Sequence, residues 1–163
     1  MKSKKENKEQ NFSFVDDNAP EELKFLEQLI SYRLNVRFAN DSTLKKPVPD
    51  FSKWSRKLSE FIKVNKLNED EACLLLIAMS AHLQSDLFDN LIQASLQHAG
   101  DFQKIGGVRG KDFRGFLPTG ETAVFLLADD DFEKKLMIQK NKRTLNQLKL
   151  KNQISMILMQ LMM

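Results

Sequence analysis

The 163-residue chain has one cysteine, one tryptophan, one tyrosine and two histidines. Each scarcity excludes something. A lone Cys73 forms no internal disulfide, and its hydrophobic neighbours make it a small buried residue of a reducing compartment. His82 and His98 stand far apart with no second ligand at useful spacing, so no metal site is expected. No apolar run exceeds the eight residues Ala72 to Met79, too few to cross a bilayer. Met1 to Gln10 is polar and charged and lacks the apolar stretch of a signal peptide. A cytoplasmic protein is the expectation.

Acidic residues are absent after Glu133, where seven Lys or Arg remain. Residues 1–133 therefore carry 18 basic against 22 acidic residues, a net of −4, although the whole chain is +3. The body is acidic and only the tail is basic, which weakens any case for a nucleic-acid surface resting on overall charge.

What is present reads as helix. Residues 1–19 are polar and are expected to form a flexible leader. Pro20 suits a first helical turn, with Glu21 and Glu22 near its positive end. Leu23, Leu26, Leu29, Ile30, Leu34 and Phe38 then recur at helical spacing. Lys45-Lys46-Pro47-Val48-Pro49 predicts an extended linker. Phe51, Trp54, Leu58, Phe61 and Ile62 outline a second helix in which Trp54 anchors the core. Asn68 and Glu71 have capping-box spacing ahead of the all-apolar run Ala72 to Met79, the expected central helix. Ser85 and Asp86 cap a fourth helix carrying Leu87, Phe88, Leu91, Ile92 and Leu96.

All six glycines lie between Gly100 and Gly120, a density no helix runs through. Phe102, Ile105, Val108, Phe113, Phe116 and Leu117 alternate loosely with polar groups there. Short strands or a glycine-rich loop packed on the body are predicted near 100–120. Thr119 resembles an N-cap for a fifth helix through Leu127, followed by Asp129-Asp130-Asp131 and a further turn, Phe132 to Leu136.

Residues 137–163 contain no Phe, Gly, Pro, Asp or Glu but five of the seven methionines. Two origins stay open for this basic, atypical tail. One is an amphipathic helix for a partner or membrane surface. The other is a non-native segment read in a shifted frame. The fold class expected is mainly α, with a compact helical domain over 20–136.

No complete catalytic constellation is present. Gly106-Gly107-Val108-Arg109-Gly110-Lys111 looks superficially like a phosphate loop, but Ile105 occupies the place of the first glycine. Asp112, which repels phosphate, follows the lysine where a hydroxyl is needed to hold magnesium. Cys73 lies in apolar surroundings that disfavour a thiolate. No nucleophile elbow or triad is visible, and the paired carboxylates at 129–131 read as a solvated helix end. No cofactor is implied. Arg109, Lys111 and Arg114, interleaved with Phe113 and Phe116, form a small basic cluster, the best candidate surface for a partner, an anion or a nucleic acid. The alternative is structural: glycines for turns, Phe for packing, Arg for backbone carbonyls.

Gly106 to Lys111, followed by Phe113-Arg114-Gly115-Phe116-Leu117-Pro118-Thr119-Gly120-Glu121-Thr122-Ala123-Val124-Phe125-Leu126-Leu127, resembles a signature in the N-terminal region of certain bacterial AAA+ ATPases. Some of these accompany contractile injection systems. The preceding helices, with Leu74-Leu75-Leu76-Ile77-Ala78 and His82-Leu83, are similar in order, so the likeness covers about 20–135. It implies a winged-helix-like domain that engages a protein partner, the motor or its substrate, through Arg109, Lys111, Phe113 and Arg114. After Leu136 the likeness ends. The Walker A, Walker B and arginine-finger elements of the motor are absent, so the resemblance implies a truncated, non-catalytic accessory module. A winged-helix nucleic-acid-binding module is the alternative, and a small enzyme of unknown type a third.

Overall fold

The computed structural model describes residues 13–96, 102–109, 111–112, 115–128 and 130–147, with backbone alone at 102–103 and 142–147. Residues 1–12 of the expected leader and 148–163 of the atypical tail lie outside the described residues.

The described chain is mainly helical: α1 (Glu21–Phe38), α2 (Arg56–Val64), α3 (Glu69–Leu83), α4 (Leu87–Ser95), α5 (Phe102–Ile105), α6 (Gly120–Leu127) and α7 (Phe132–Gln147). Among the described residues, no helix is long and apolar enough to cross a membrane. The only strand-like pairing there is an isolated antiparallel bridge between Val108 and Leu117. Where short strands were an option near 100–120, the chain forms this single bridge and, ahead of it, the one-turn helix α5.

Helix α3 is the axis of the core. Its capping box closes both ways: Glu71 N–H donates to Asn68 Oδ1 at 2.9 Å and Asn68 N–H to Glu71 Oε2 at 3.0 Å. From Ala72 to Ser80 every residue but Ala78 is buried. A helix apolar on nearly all sides needs neighbours all round, and α1, α6 and α7 supply them. Helix α1 contributes Leu26, Leu29, Ile30 and Leu34, each at most 1 % exposed.

The stripe beginning at Phe51 is not one helix. The Asp50 carboxylate accepts from Ser52 N–H at 3.2 Å and closes a 3-10 turn over Phe51–Lys53. Trp54 is extended, and α2 starts only at Arg56. A local side-chain bond thus outcompetes helical continuation, while Trp54 still reaches the core, edge-on to Phe51 with centroids 4.9 Å apart and tilted on Phe25 at 5.6 Å. Buried Glu22 accepts from Ser55 N–H at 3.1 Å at the start of α2, filling one of the donors a helix N-terminus leaves open.

Residues 13–19 lie against α1 and α3. Glu27 accepts from Ser13 Oγ at 2.7 Å and Phe14 N–H at 2.6 Å, Gln84 Nε2 donates to Phe14 O at 3.1 Å, and Val15 is buried. At the other end, α7 runs unbroken across position 136, where the composition changes, and its Ile138 is part of the core.

Two cations from early in the chain hold the C-terminal end of α6. Arg33 Nε donates to Phe125 O at 2.7 Å, and Lys46 Nζ donates to Leu127 O at 2.9 Å. Both meet the partial negative charge that gathers at a helix C-terminus. The Arg33 guanidinium also lies 5.2 Å from the Phe125 ring centroid and 3.6 Å from Asp130.

Candidate functional site: the glycine-rich turn

The turn between α5 and α6 is shaped by two glycines with left-handed backbone, Gly106 at φ 73° and Gly107 at φ 100°. L-residues rarely adopt these values. Space is closed as well. A Cβ on Gly106 would stand 2.7 Å from Glu121 Cβ and 2.8 Å from Thr122 N, and one on Gly107 would overlap the Phe116 ring. Directly after them, Val108 exchanges backbone hydrogen bonds of 3.0 and 2.8 Å with Leu117.

Five contacts fasten the turn to the helices. Gly107 N–H donates to Thr119 Oγ1 at 3.2 Å, while Thr119 N–H donates to Thr122 Oγ1 at 3.0 Å, coupling the turn to the start of α6. Phe116, 1 % exposed, stacks on Phe88 of α4 with centroids 4.8 Å apart and planes 20° from parallel. Asp89, also on α4, accepts from Phe116 N–H at 2.8 Å and from Arg109 Nη2 at 3.1 Å.

Of the residues expected to meet a partner, Arg109 is tied to Asp89 with 56 % of its side chain exposed, and Lys111 is exposed. Phe113 and Arg114 lie outside the described residues. Among the described residues, the Arg109 guanidinium bonds the carboxylate of Asp89. Sequence reasoning missed Asp89. Its partners are 20 and 27 residues away, and one Asp on a helix that also carries Asp86 has no local mark of that role. Arg33 and Lys46 were missed for the same reason, because their acceptors are distant carbonyls.

Among the described residues, no group of three His, Cys, Asp or Glu is placed to hold a metal ion. His82 is exposed and His98 lies outside the described residues. Burial, with the nearby charges of Asp70 and Glu69, pushes the Cys73 thiol up to about 12, so it stays protonated and unreactive at neutral pH. A cleft of about 280 Å³ opens between residues 13–17 and α1. One of its lining carboxylates, Glu27, already accepts hydrogen bonds from Ser13 and Phe14.

No protein-family model, curated protein or solved structure matches the chain.

Proposed function

We propose that the chain is a non-catalytic interaction module, winged-helix-like and related to the N-terminal region of bacterial AAA+ ATPases. Its glycine-rich turn presents Arg109, Lys111, Phe113 and Arg114 to a protein partner, the motor or its substrate, in the cytoplasm. The observation that carries this reading is the fastening of the turn from below. Asp89, Thr119 and the Phe88–Phe116 stack fix its base, while Lys111 is exposed and Arg109, bonded to Asp89, keeps 56 % of its side chain exposed. A recognition loop held this way loses little conformational freedom on binding. The isolated antiparallel bridge between Val108 and Leu117 supports the winged-helix-like reading.

A nucleic-acid-binding module is the second reading, favoured by two exposed cations, Arg109 and Lys111, in the glycine-rich segment. Against it stand Asp89 beside Arg109, exposed Asp112 beside Lys111, and the net −4 of residues 1–133. Phosphate contact needs an uncompensated basic surface.

A photo-reactive side chain at position 111 in living cells tests both. Covalent capture of a AAA+ ATPase is the expected result. Capture of nucleic acid, together with a salt-sensitive mobility shift of labelled duplex, would replace the first reading with the second. The purified chain is expected to hydrolyse no ATP, since the lysine, hydroxyl and amide cradle that hold a triphosphate are missing.

A further inference from the structure

Helix α7 turns an unusual face to solvent: Phe132, Leu136 and Met137 are 71, 52 and 60 % exposed. Ile138, 1 % exposed, marks the inward side. At about 100° per residue, Glu133, Leu136, Met137 and Lys140 all fall on the outward half of the helix. Glu133 and Lys140 are themselves exposed. Charge is sorted along the same helix, with Asp130, Asp131 and Glu133 at its start and only cations from Lys134 onward.

This order is self-complementary in one orientation. Two copies of α7 laid antiparallel, with Leu136 of one against the partner's Met137, place Glu133 opposite the partner's Lys140. Each lies about 5 Å from the midpoint along the axis. A twofold axis repeats the pair, so each dimer contains two. Asp130 is then carried toward the partner's basic end, and the two helix dipoles oppose favourably. A parallel pairing would set Glu133 on Glu133 and Lys140 on Lys140. An anionic lipid surface fits less well, because in the sequence the carboxylates of Asp130, Asp131 and Glu133 flank Phe132, the most exposed of the three apolar side chains on this helix.

We infer that the outward face of α7 is an isologous, antiparallel interface between two copies of this chain. One pair of helices this length buries less than the roughly 1,600 Å² of a standard interface, so the dimer is weak and concentration-dependent.

Analytical ultracentrifugation of the full chain over a range of concentrations is the test. A monomer–dimer equilibrium is expected, abolished by Leu136→Asp with unchanged far-ultraviolet circular dichroism. Glu133→Lys and Lys140→Glu should each weaken self-association about tenfold, since each creates two like-charge pairs. Mixing the two variants should restore dimerisation, because every facing pair is then opposite in sign. A chain that stays monomeric at all concentrations overturns the inference, whether or not it pellets with phosphatidylserine vesicles. So does a dimer that the charge variants and their mixture leave unchanged.

Discussion

Asp89 receives the Arg109 guanidinium on one carboxylate oxygen and the Phe116 backbone N–H on the other, at 3.1 and 2.8 Å. The two ends of the glycine-rich turn are thereby fixed to a single side chain of α4. The contacts differ in weight. The Arg109 contact is part-exposed and screened by solvent, whereas Phe116 is buried and its N–H has this carboxylate as acceptor.

Asp89→Ala is therefore expected to cost about 1–3 kcal/mol, the loss of a charge-assisted hydrogen bond to a buried backbone N–H. Arg109→Ala should cost less than about 1 kcal/mol, as exposed ion pairs do. Chemical denaturation of the two variants measures both, and an equal loss would mean that the ion pair, not the backbone bond, holds the turn.

Gly107→Ala should destabilise by more than about 1 kcal/mol, because it adds left-handed strain to overlap with the Phe116 ring. Thermal melting reports the loss. Phe116→Leu in the same chain should recover part of it, since only the steric component is relieved.

Removal of the Arg33 side chain should be among the most damaging polar changes. Arg33→Ala leaves Phe125 O without this donor in a buried setting and removes a cation over the Phe125 ring. The expected loss is about 2–4 kcal/mol. Arg33→Lys should recover only part, since an ammonium lacks the planar fork. Neutralising Asp130, whose side chain is 81 % exposed, should change stability by less than about 0.5 kcal/mol.

Cys73 supplies a pH signature. Its thiol is raised from 9.0 to about 12 in the folded chain, so the native state retains a proton that the unfolded state loses first. The resulting stabilisation is complete below pH 9 and declines as pH rises from there toward 12, by up to about 1.4 kcal/mol per unit. Cys73→Ala should flatten that stretch of the stability curve. At pH 8 the native thiol should resist a disulfide-exchange reagent that labels the unfolded chain promptly.

Helix order was readable wherever one face or one cap decided the matter. Leu23 to Phe38 specify α1 by spacing alone, and the Asn68–Glu71 box marks the start of α3 to the residue. Thr119 was placed correctly ahead of α6. The second helix was drawn too long because Phe51 and Trp54 keep helical spacing while sitting on a 3-10 turn and an extended residue. Burial preserved the pattern after Asp50 had changed the backbone. The length of α7 was underestimated, since Leu136 looked like the end of an aromatic-rich body, yet Ile138 still faces the core. At the candidate site, the glycine cluster and the cations Arg109 and Lys111 were legible as types. Their support was not, because Asp89 and Thr119 act across gaps in sequence that leave no periodic trace.

The bonds from Arg33 and Lys46 to the last carbonyls of α6 span 92 and 81 residues. During synthesis, α1 emerges with a buried-side guanidinium whose acceptor has not yet been made. The amino-terminal helices can therefore gather only loosely until Phe125 and Leu127 leave the ribosome. An isolated fragment ending at α4 should remain an unsettled collapsed state, and stable structure should appear late and all at once.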